Sequence, residues 1–135
     1  MLILLCLNPS AHANLFNIQT TAKMNSLKNV AYGHHPEQIM DIYFPSKPLA
    51  DKKPAPLMVM VHGGAWSIGD KNNTAVIKNK VDYWGQRGWI FISINYRLLP
   101  DATVQQQTQD VATALIYIQN HASDWHADPK QLVLM

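Results

Sequence analysis

Three short apolar runs, separated by two amphipathic segments, make up the chain from residue 57 onward. Continuous apolar runs are typical of strands covered on both faces, and strands that alternate with helices indicate a parallel sheet with crossover connections. The second amphipathic segment has the clearer helical period, with Val111, Leu115 and Ile118 on one face. We therefore predict strands at 57–61, 89–94 and 131–135 and helices at 74–86 and 104–121.

A different pattern precedes these runs. Residues 28–32 and 38–44 are rich in β-branched and aromatic side chains, and Gly33-His34-His35-Pro36 separates them. They predict two antiparallel strands joined by a turn. Residues 45–56 hold four prolines and three lysines and predict an exposed loop. The predicted fold class is α/β, with two antiparallel strands followed by parallel strands and crossover helices.

The turn after the first buried strand carries the candidate chemistry. Its sequence is His62-Gly63-Gly64-Ala65-Trp66, so the backbone has little side-chain bulk where it leaves the strand. A strand that opens into such a turn can direct several backbone N–H groups to one point, which is the geometry of an oxyanion hole. We predict that Gly64 and Ala65 donate these N–H groups and that Gly63 is the turn residue that lets them converge.

Four stretches of sequence, in order along the chain, resemble the esterase group of α/β-hydrolases that carries a His-Gly-Gly-x-Trp oxyanion motif. The resemblance runs from about residue 41 to residue 135 and implies the N-terminal half of an α/β-hydrolase sheet. It also implies a serine hydrolase that cleaves small or medium esters through an acyl-enzyme, with no cofactor. The four stretches are Asp41-Ile42-Tyr43-Phe44-Pro45, residues 62–71, Asn95-Tyr96-Arg97-Leu98-Leu99-Pro100-Asp101 and Ala127-Asp128-Pro129.

The resemblance also places the nucleophile. In this family a strand like 131–135 leads into Gly-x-Ser-x-Gly, and the Asp or Glu and the His of the triad follow that elbow. The sequence stops at Met135, before such an elbow. We therefore expect residues 14–135 to be the N-terminal part of a hydrolase domain that is inactive without the rest. Two alternatives stay open: an arylformamidase-like amidase, which shares the motif, and a non-catalytic remnant without the triad.

Side chains around the turn receive roles from the same resemblance. His62 is expected to brace the oxyanion loop through its imidazole, with a capping role and a general-base role as alternatives. Trp66 either packs beside the acyl group as a substrate-binding residue or is a core tryptophan. Ser67 and Ser93 lack the Gly-x-Ser-x-Gly frame, so neither is predicted to be a nucleophile.

Two other sets of polar residues could form an ion pair or a metal site. Arg97 and Asp110 are interpreted as an ion pair that fixes the loop after the second buried strand, and two separately solvated charges are the alternative. The histidines at positions 34, 35, 121 and 126 occur without a His-Glu-x-x-His motif or a cysteine pair. No metal site is predicted.

Composition and the N-terminal residues bear on the partners and the cellular location of the protein. The net charge of +2 comes from scattered acids and bases, which argues against a nucleic-acid partner. The resemblance implies a small-molecule ester substrate, and the oligomeric state stays open. An apolar start leads into Ala11-His12-Ala13, so residues 1–13 predict a signal peptide and an exported protein, periplasmic or secreted, with a cytoplasmic location as the alternative. The apolar run is too short for stable membrane insertion.

Overall fold

The computed structural model describes residues 25–135. The predicted signal peptide, residues 1–13, lies outside the described residues. Within them, no helix is long and apolar enough to cross a membrane. The elements are β1 (Ser26–Ala31), β2 (Ile39–Tyr43), β3 (Ala55–Val61), α1 (Thr74–Gly85), β4 (Ile90–Ile94), α2 (Val104–His121), a 3-10 turn (Ala122–Trp125) and β5 (Ala127–Leu134).

The five strands form one mixed sheet in the order β1-β2-β4-β3-β5. The pairs β1–β2 and β2–β4 are antiparallel, whereas β3 is parallel to both β4 and β5. This arrangement confirms the predicted α/β class and the antiparallel opening of the sheet. Strand β3 lies between two parallel neighbours, so the carboxyl ends of all three strands are at the same edge of the sheet. The loop after β3 leaves the sheet at this edge, where α/β proteins bind their ligands.

The two helices cover opposite faces of the sheet, because successive residues of a strand point to opposite sides. On one face Leu57 and Val59 of β3 pack in a cluster that includes Ile118 of α2. On the other face Met58 and Met60 pack in a cluster with α1. Coverage on both faces explains why β3 is continuously apolar in sequence.

The helix ends lie at the polar residues that can cap them. Thr103 and Gln106 form a capping box at the start of α2, in which each side chain accepts from the backbone N–H of the other residue. The side chain of Asn73 accepts from the N–H of Ala75 at the start of α1. Beyond the end of α1 the chain turns at Gly88, whose φ of +81° is left-handed.

Strand β5 is longer than the sequence predicts, since it begins at Ala127 and not at residue 131, and β3 begins at Ala55, inside the predicted loop of residues 45–56. Its pairing with β3 is irregular: Ala55 pairs with Ala127, but Leu57 pairs with Leu132. The residues between these two pairs include Pro129, which has no N–H to donate to the ladder. The irregular stretch carries turn-type residues, and this hid the beginning of the strand.

Candidate active site

Residues 62–71 contain the predicted oxyanion motif and are named the oxyanion loop; they leave the carboxyl end of β3 and turn sharply. The carbonyl oxygen of Gly64 accepts from the N–H of Ser67 at 3.1 Å and from the N–H of Ile68 at 3.0 Å. The φ angles are +134° at Gly64, +51° at Ala65 and +66° at Trp66. Left-handed backbone costs a non-glycine residue about 1–3 kcal/mol, so contacts from the rest of the fold must hold this turn.

The structure moves the critical glycine one position along the chain from the prediction. The sequence predicts Gly63 as the turn residue, but its φ is not left-handed and a Cβ built there meets no atom within 4 Å. At Gly64 a Cβ would lie 1.8 Å from the carbonyl oxygen of Ile68. Gly64 is therefore the position at which both backbone conformation and space require glycine.

The N–H groups of Gly64 and Ala65, the predicted oxyanion donors, have no protein acceptor among residues 25–135. The nearby carbonyl oxygens are engaged, since the Ser67 hydroxyl donates to the oxygen of Ala65 at 3.2 Å. Free N–H groups beside occupied carbonyl groups suit the binding of a negatively charged oxygen. A cavity of about 300 Å³ adjoins the turn and is lined by Val61, His62, Gly63, Gly64, Ala65, Trp66 and Tyr96.

The His62 ring is packed inside the oxyanion loop. Its Nδ1 lies 2.9 Å from the carbonyl oxygen of Gly63, and because a carbonyl can only accept, Nδ1 carries the proton. The ring stacks on Tyr96 with centroids 4.6 Å apart, and the Tyr96 hydroxyl donates to the backbone oxygen of His62 at 3.0 Å. A Cβ at Gly69 would lie 2.2 Å from Nδ1. These contacts are the ones a bracing role requires.

Among the described residues Trp66 is half-exposed and lines the cavity, a position that suits the substrate-binding alternative. Its carbonyl oxygen accepts from the N–H of Leu99 at 3.0 Å and from Nε2 of Gln107 at 3.0 Å. The sequence analysis did not single out Gln107, which stands in a run of three glutamines. Nothing in that run marks one glutamine as different from its neighbours.

Lys71, at the end of the oxyanion loop, is buried although it is charged. Its Nζ contacts Oδ1 of Asp41 at 2.9 Å and Oδ1 of Asn29 at 2.8 Å. Its N–H donates to Oδ1 of Asn95 at 2.6 Å, and its carbonyl oxygen accepts from the Ser93 hydroxyl at 3.0 Å. Side chains from β1, β2 and β4 and from the loop after β4 thus hold the end of the loop, and Ser93 serves as an anchor.

Asp41, on β2, is the fully buried partner of this lysine. It also accepts from Nζ of Lys28 at 2.9 Å and from the N–H of Asn29 at 2.9 Å. Burial raises the pKa of the Asp41 carboxyl, but the N–H of Asn29 and the two ammonium groups outweigh it and hold the pKa below its usual value. Asp41 and Lys71 stand in two separate stretches of the sequence that resemble the family, and no local pattern predicts their contact.

The predicted ion pair between Arg97 and Asp110 is confirmed. Nη2 of Arg97 contacts Oδ1 at 2.7 Å, and Nε contacts Oδ2 at 2.8 Å, which is the bidentate geometry. The N–H of Arg97 and Nε2 of Gln38 donate to the same carboxylate. Burial raises the pKa of Asp110, but these donors lower it by more than burial raises it. The pKa of Asp110 is therefore below its usual value. The alternative of two separately solvated charges is wrong.

The paired histidines form no metal centre in the described part of the chain, where no group of three potential ligands comes together. His121 and His126 each place a ring nitrogen 2.9 Å from a backbone carbonyl oxygen, of Tyr117 and Lys52 respectively. The His121 ring therefore serves a contact within α2, and the His126 ring serves a long-range contact with the loop that precedes β3.

A mixed sheet of this order, with crossover helices on opposite faces, matches the N-terminal part of an α/β-hydrolase fold. The family model BD-FAE matches residues 40–135. The chain belongs to the BD-FAE family, and the resemblance drawn from the sequence is confirmed.

Individual relatives are esterases. The chain is 33% identical over 109 residues to a probable isoprenylcysteine alpha-carbonyl methylesterase of Oryza sativa subsp. japonica. The matched region covers 81% of this chain and 25% of that protein. It is 35% identical over 75 residues to the probable carboxylic ester hydrolase LipM of Mycobacterium tuberculosis. This matched region covers 56% of this chain and 17% of that protein. The chain thus spans a quarter or less of the length of these two relatives.

Among solved structures, esterase B from Lactobacillus rhamnosis HN001 superposes with a TM-score of 0.71 at 25% sequence identity. The match covers 84% of this chain and 35% of that chain. The truncated form of a carbohydrate esterase from gut microbiota matches with a TM-score of 0.69 at 25% identity, over 82% of this chain and 38% of that chain. Both matches support an esterase-like hydrolase fold.

Proposed function

We propose that the protein is a serine carboxylesterase whose oxyanion hole is formed by the N–H groups of Gly64 and Ala65. The observation that carries the proposal is the pair of N–H groups without a protein acceptor, in a turn whose carbonyl groups are occupied and which borders a cavity. The esterase relatives support the same reaction class.

In the proposed reaction a serine, C-terminal to Met135 in the full-length protein, attacks the ester carbonyl while a histidine takes its proton. The carbonyl oxygen becomes negative and receives the N–H groups of Gly64 and Ala65, each worth roughly 3 kcal/mol in the transition state. The histidine then returns the proton to the departing alcohol, and water hydrolyses the acyl-enzyme in the same way.

The size of the cavity is the observation that favours an ester with a small or medium acyl group. Its volume is about 300 Å³, at the lower end for small-molecule sites, and Trp66 and Tyr96 supply aromatic surface to it. His62 lines the same cavity, but its Nδ1 proton is directed to Gly63, so we assign it to bracing the loop and not to proton transfer.

The oxyanion assignment is tested in the full-length protein by Gly64→Ala. We expect kcat on a short-chain nitrophenyl ester to fall about 10²- to 10³-fold, as when an oxyanion donor is removed, because the Cβ forces the turn to rearrange. Gly85→Ala is the matched control, since a Cβ there meets only ordinary contacts at 3.6 Å or more. Equal activity of the two variants, with both folded by circular dichroism, would remove Gly64 from the site.

The position of the nucleophile is tested by extending the reading frame. We expect residues 14–135 alone to be inactive, and a chain that continues through Gly-x-Ser-x-Gly and the distal Asp and His to hydrolyse the ester. Replacing the elbow serine by alanine should abolish hydrolysis. Preference for an aryl formamide over the ester would favour the amidase alternative, and a stop codon directly after Met135 would favour the remnant.

Export is a separate proposal, and it rests on the apolar start and Ala11-His12-Ala13. Intact-mass analysis of the protein from its native host should find a chain that begins at or near Asn14. A mature chain that keeps Met1 would contradict export.

A further inference from the structure

Gln107, in the first turns of α2, is fully buried against the oxyanion loop. Its Nε2 donates to the carbonyl oxygen of Trp66 at 3.0 Å and to that of Ala102 at 3.2 Å. Its Oε1 has no partner among residues 25–135. A buried amide oxygen without a partner costs about 1–3 kcal/mol, so an apolar side chain would fill this volume at less cost. The amide supplies two donor contacts that an apolar side chain could not, and the one to Trp66 reaches the oxyanion loop.

That donor acts on the strained end of the turn. Trp66 is the last of the three left-handed residues, and its carbonyl oxygen receives a second donor, the N–H of Leu99. Two donors occupy both lone pairs of this oxygen and so fix the plane of the peptide that follows Trp66. With that plane fixed, Ala65 and Trp66 cannot relax to right-handed backbone without breaking the hydrogen bonds from Gln107 and Leu99.

We propose that Gln107 is a positioning residue for the oxyanion hole: from α2 it holds the carbonyl of Trp66, and thereby keeps the N–H groups of Gly64 and Ala65 free for the substrate oxygen. Gln107 does not line the cavity and acts only through the loop. The catalytic consequence rests on the proposed esterase function, whereas the effect on the loop does not.

The test compares Gln107→Leu with Gln105→Leu in the full-length protein. Gln105 is exposed on the same helix, so its replacement controls for helix propensity and added apolar surface. Hydrogen exchange of peptides covering residues 62–71 reports on the loop, and kcat and KM report on the reaction. For Gln107→Leu we expect loop exchange to accelerate about tenfold and kcat to fall about tenfold, as for one lost hydrogen bond, with KM little changed.

A second variant, Gln107→Glu, distinguishes hydrogen bonding from packing. A neutral carboxylic acid can donate to the carbonyl of Trp66, whereas a carboxylate cannot, and burial raises the pKa of such a carboxyl. We expect loop exchange and kcat, each relative to the unaltered protein at the same pH, to be near normal at low pH. Both should approach the Gln107→Leu values as the pH rises. A side chain that only filled space would show no such pH dependence.

The possible results separate the two proposals. Unchanged loop exchange in Gln107→Leu would overturn the positioning role, and so would an acceleration spread equally over α2 and the sheet. Faster exchange confined to the loop would support it even if the unaltered protein hydrolyses no ester, and in that case only the proposed function would fail.

Discussion

Asp41 and Asp110 are both buried carboxylates that hold the loops at the carboxyl edge of the sheet, but they do so in different surroundings. Asp41 and its partner Lys71 are both inside the protein, with side-chain exposures of 0% and 1%. Asp110 is equally buried, but its partner Arg97 keeps 24% of its side chain exposed. One pair is therefore part of the interior, and the other closes its edge.

The difference shows what each pair can contribute. A fully buried ion pair gains little net stability, because desolvation offsets the attraction, but losing one partner is severe because it leaves a charge unpaired in the interior. A pair at the edge can be replaced in part by water. The interior pair should therefore dominate stability, and the edge pair should mainly fix the conformation of the loop that contains Leu99.

Lys71→Met should have the largest effect, because it leaves the Asp41 carboxylate without its interior partner. Lys28 and Asn29 still contact the carboxylate, so we expect the free energy of unfolding of the full-length protein to fall by about 1–3 kcal/mol, as for a buried polar group that loses a partner, measured by urea denaturation. Lys78→Met, at an exposed position of α1, is the control and should be nearly neutral. If the two variants were equally stable, the interior pair would not differ from a surface lysine.

Acid should weaken both pairs, with the sign set by their lowered pKa values. A carboxyl whose folded pKa is depressed adds stability above its unfolded pKa of about 3.9, and this stability is lost as the pH falls through the folded value. Thermal unfolding should therefore show a Tm that is flat near neutral pH and falls below about pH 4. Asp110→Asn should make that fall shallower, and an unchanged slope would mean that Asp110 titrates alike in both states.

Arg97→Ala should have a smaller effect than Asp110→Ala, because the carboxylate also receives the N–H of residue 97 and Nε2 of Gln38. We expect Arg97→Ala to lower Tm by only a few degrees. The double variant should be less destabilised than the sum of the single ones, since the side chains touch. Strict additivity would show that this edge pair is not coupled in solution.

Lys28→Met should have the smallest effect, although Lys28 also contacts Asp41. Its side chain is 47% exposed, so we expect a loss of less than about 1 kcal/mol in urea denaturation. A loss as large as that of Lys71→Met would show that charge count around Asp41, and not burial of the partner, decides stability.

The same contrast explains what the sequence could and could not predict. Helix α2 was predicted with the right ends because its amphipathic period is a local signal. The ion pair between Arg97 and Asp110 was predicted from the family resemblance. The partnership of Asp41 with Lys71 was not, because a lysine beside glycine and aspartate normally predicts solvent exposure. Only the tertiary fold brings these residues together.

The oxyanion loop shows the same limit at shorter range. The motif located the loop, but two adjacent glycines do not reveal which one is left-handed, and the structure assigns that role to Gly64. Gln107 was missed for a related reason, since its contact with Trp66 depends on how α2 packs against the sheet. Local pattern finds the loop, and long-range packing determines its conformation.

The two faces of the sheet differ in a way that has a chemical consequence. Met40 belongs to the cluster packed on α2, whereas Met58 and Met60 belong to the cluster packed on α1, and Met135 is about half-exposed. Peroxide converts an accessible thioether into a polar sulfoxide, so a buried methionine reacts only when its surroundings open. The order in which these sulfur atoms are oxidised, read by peptide mass spectrometry, would record which helix separates from the sheet first.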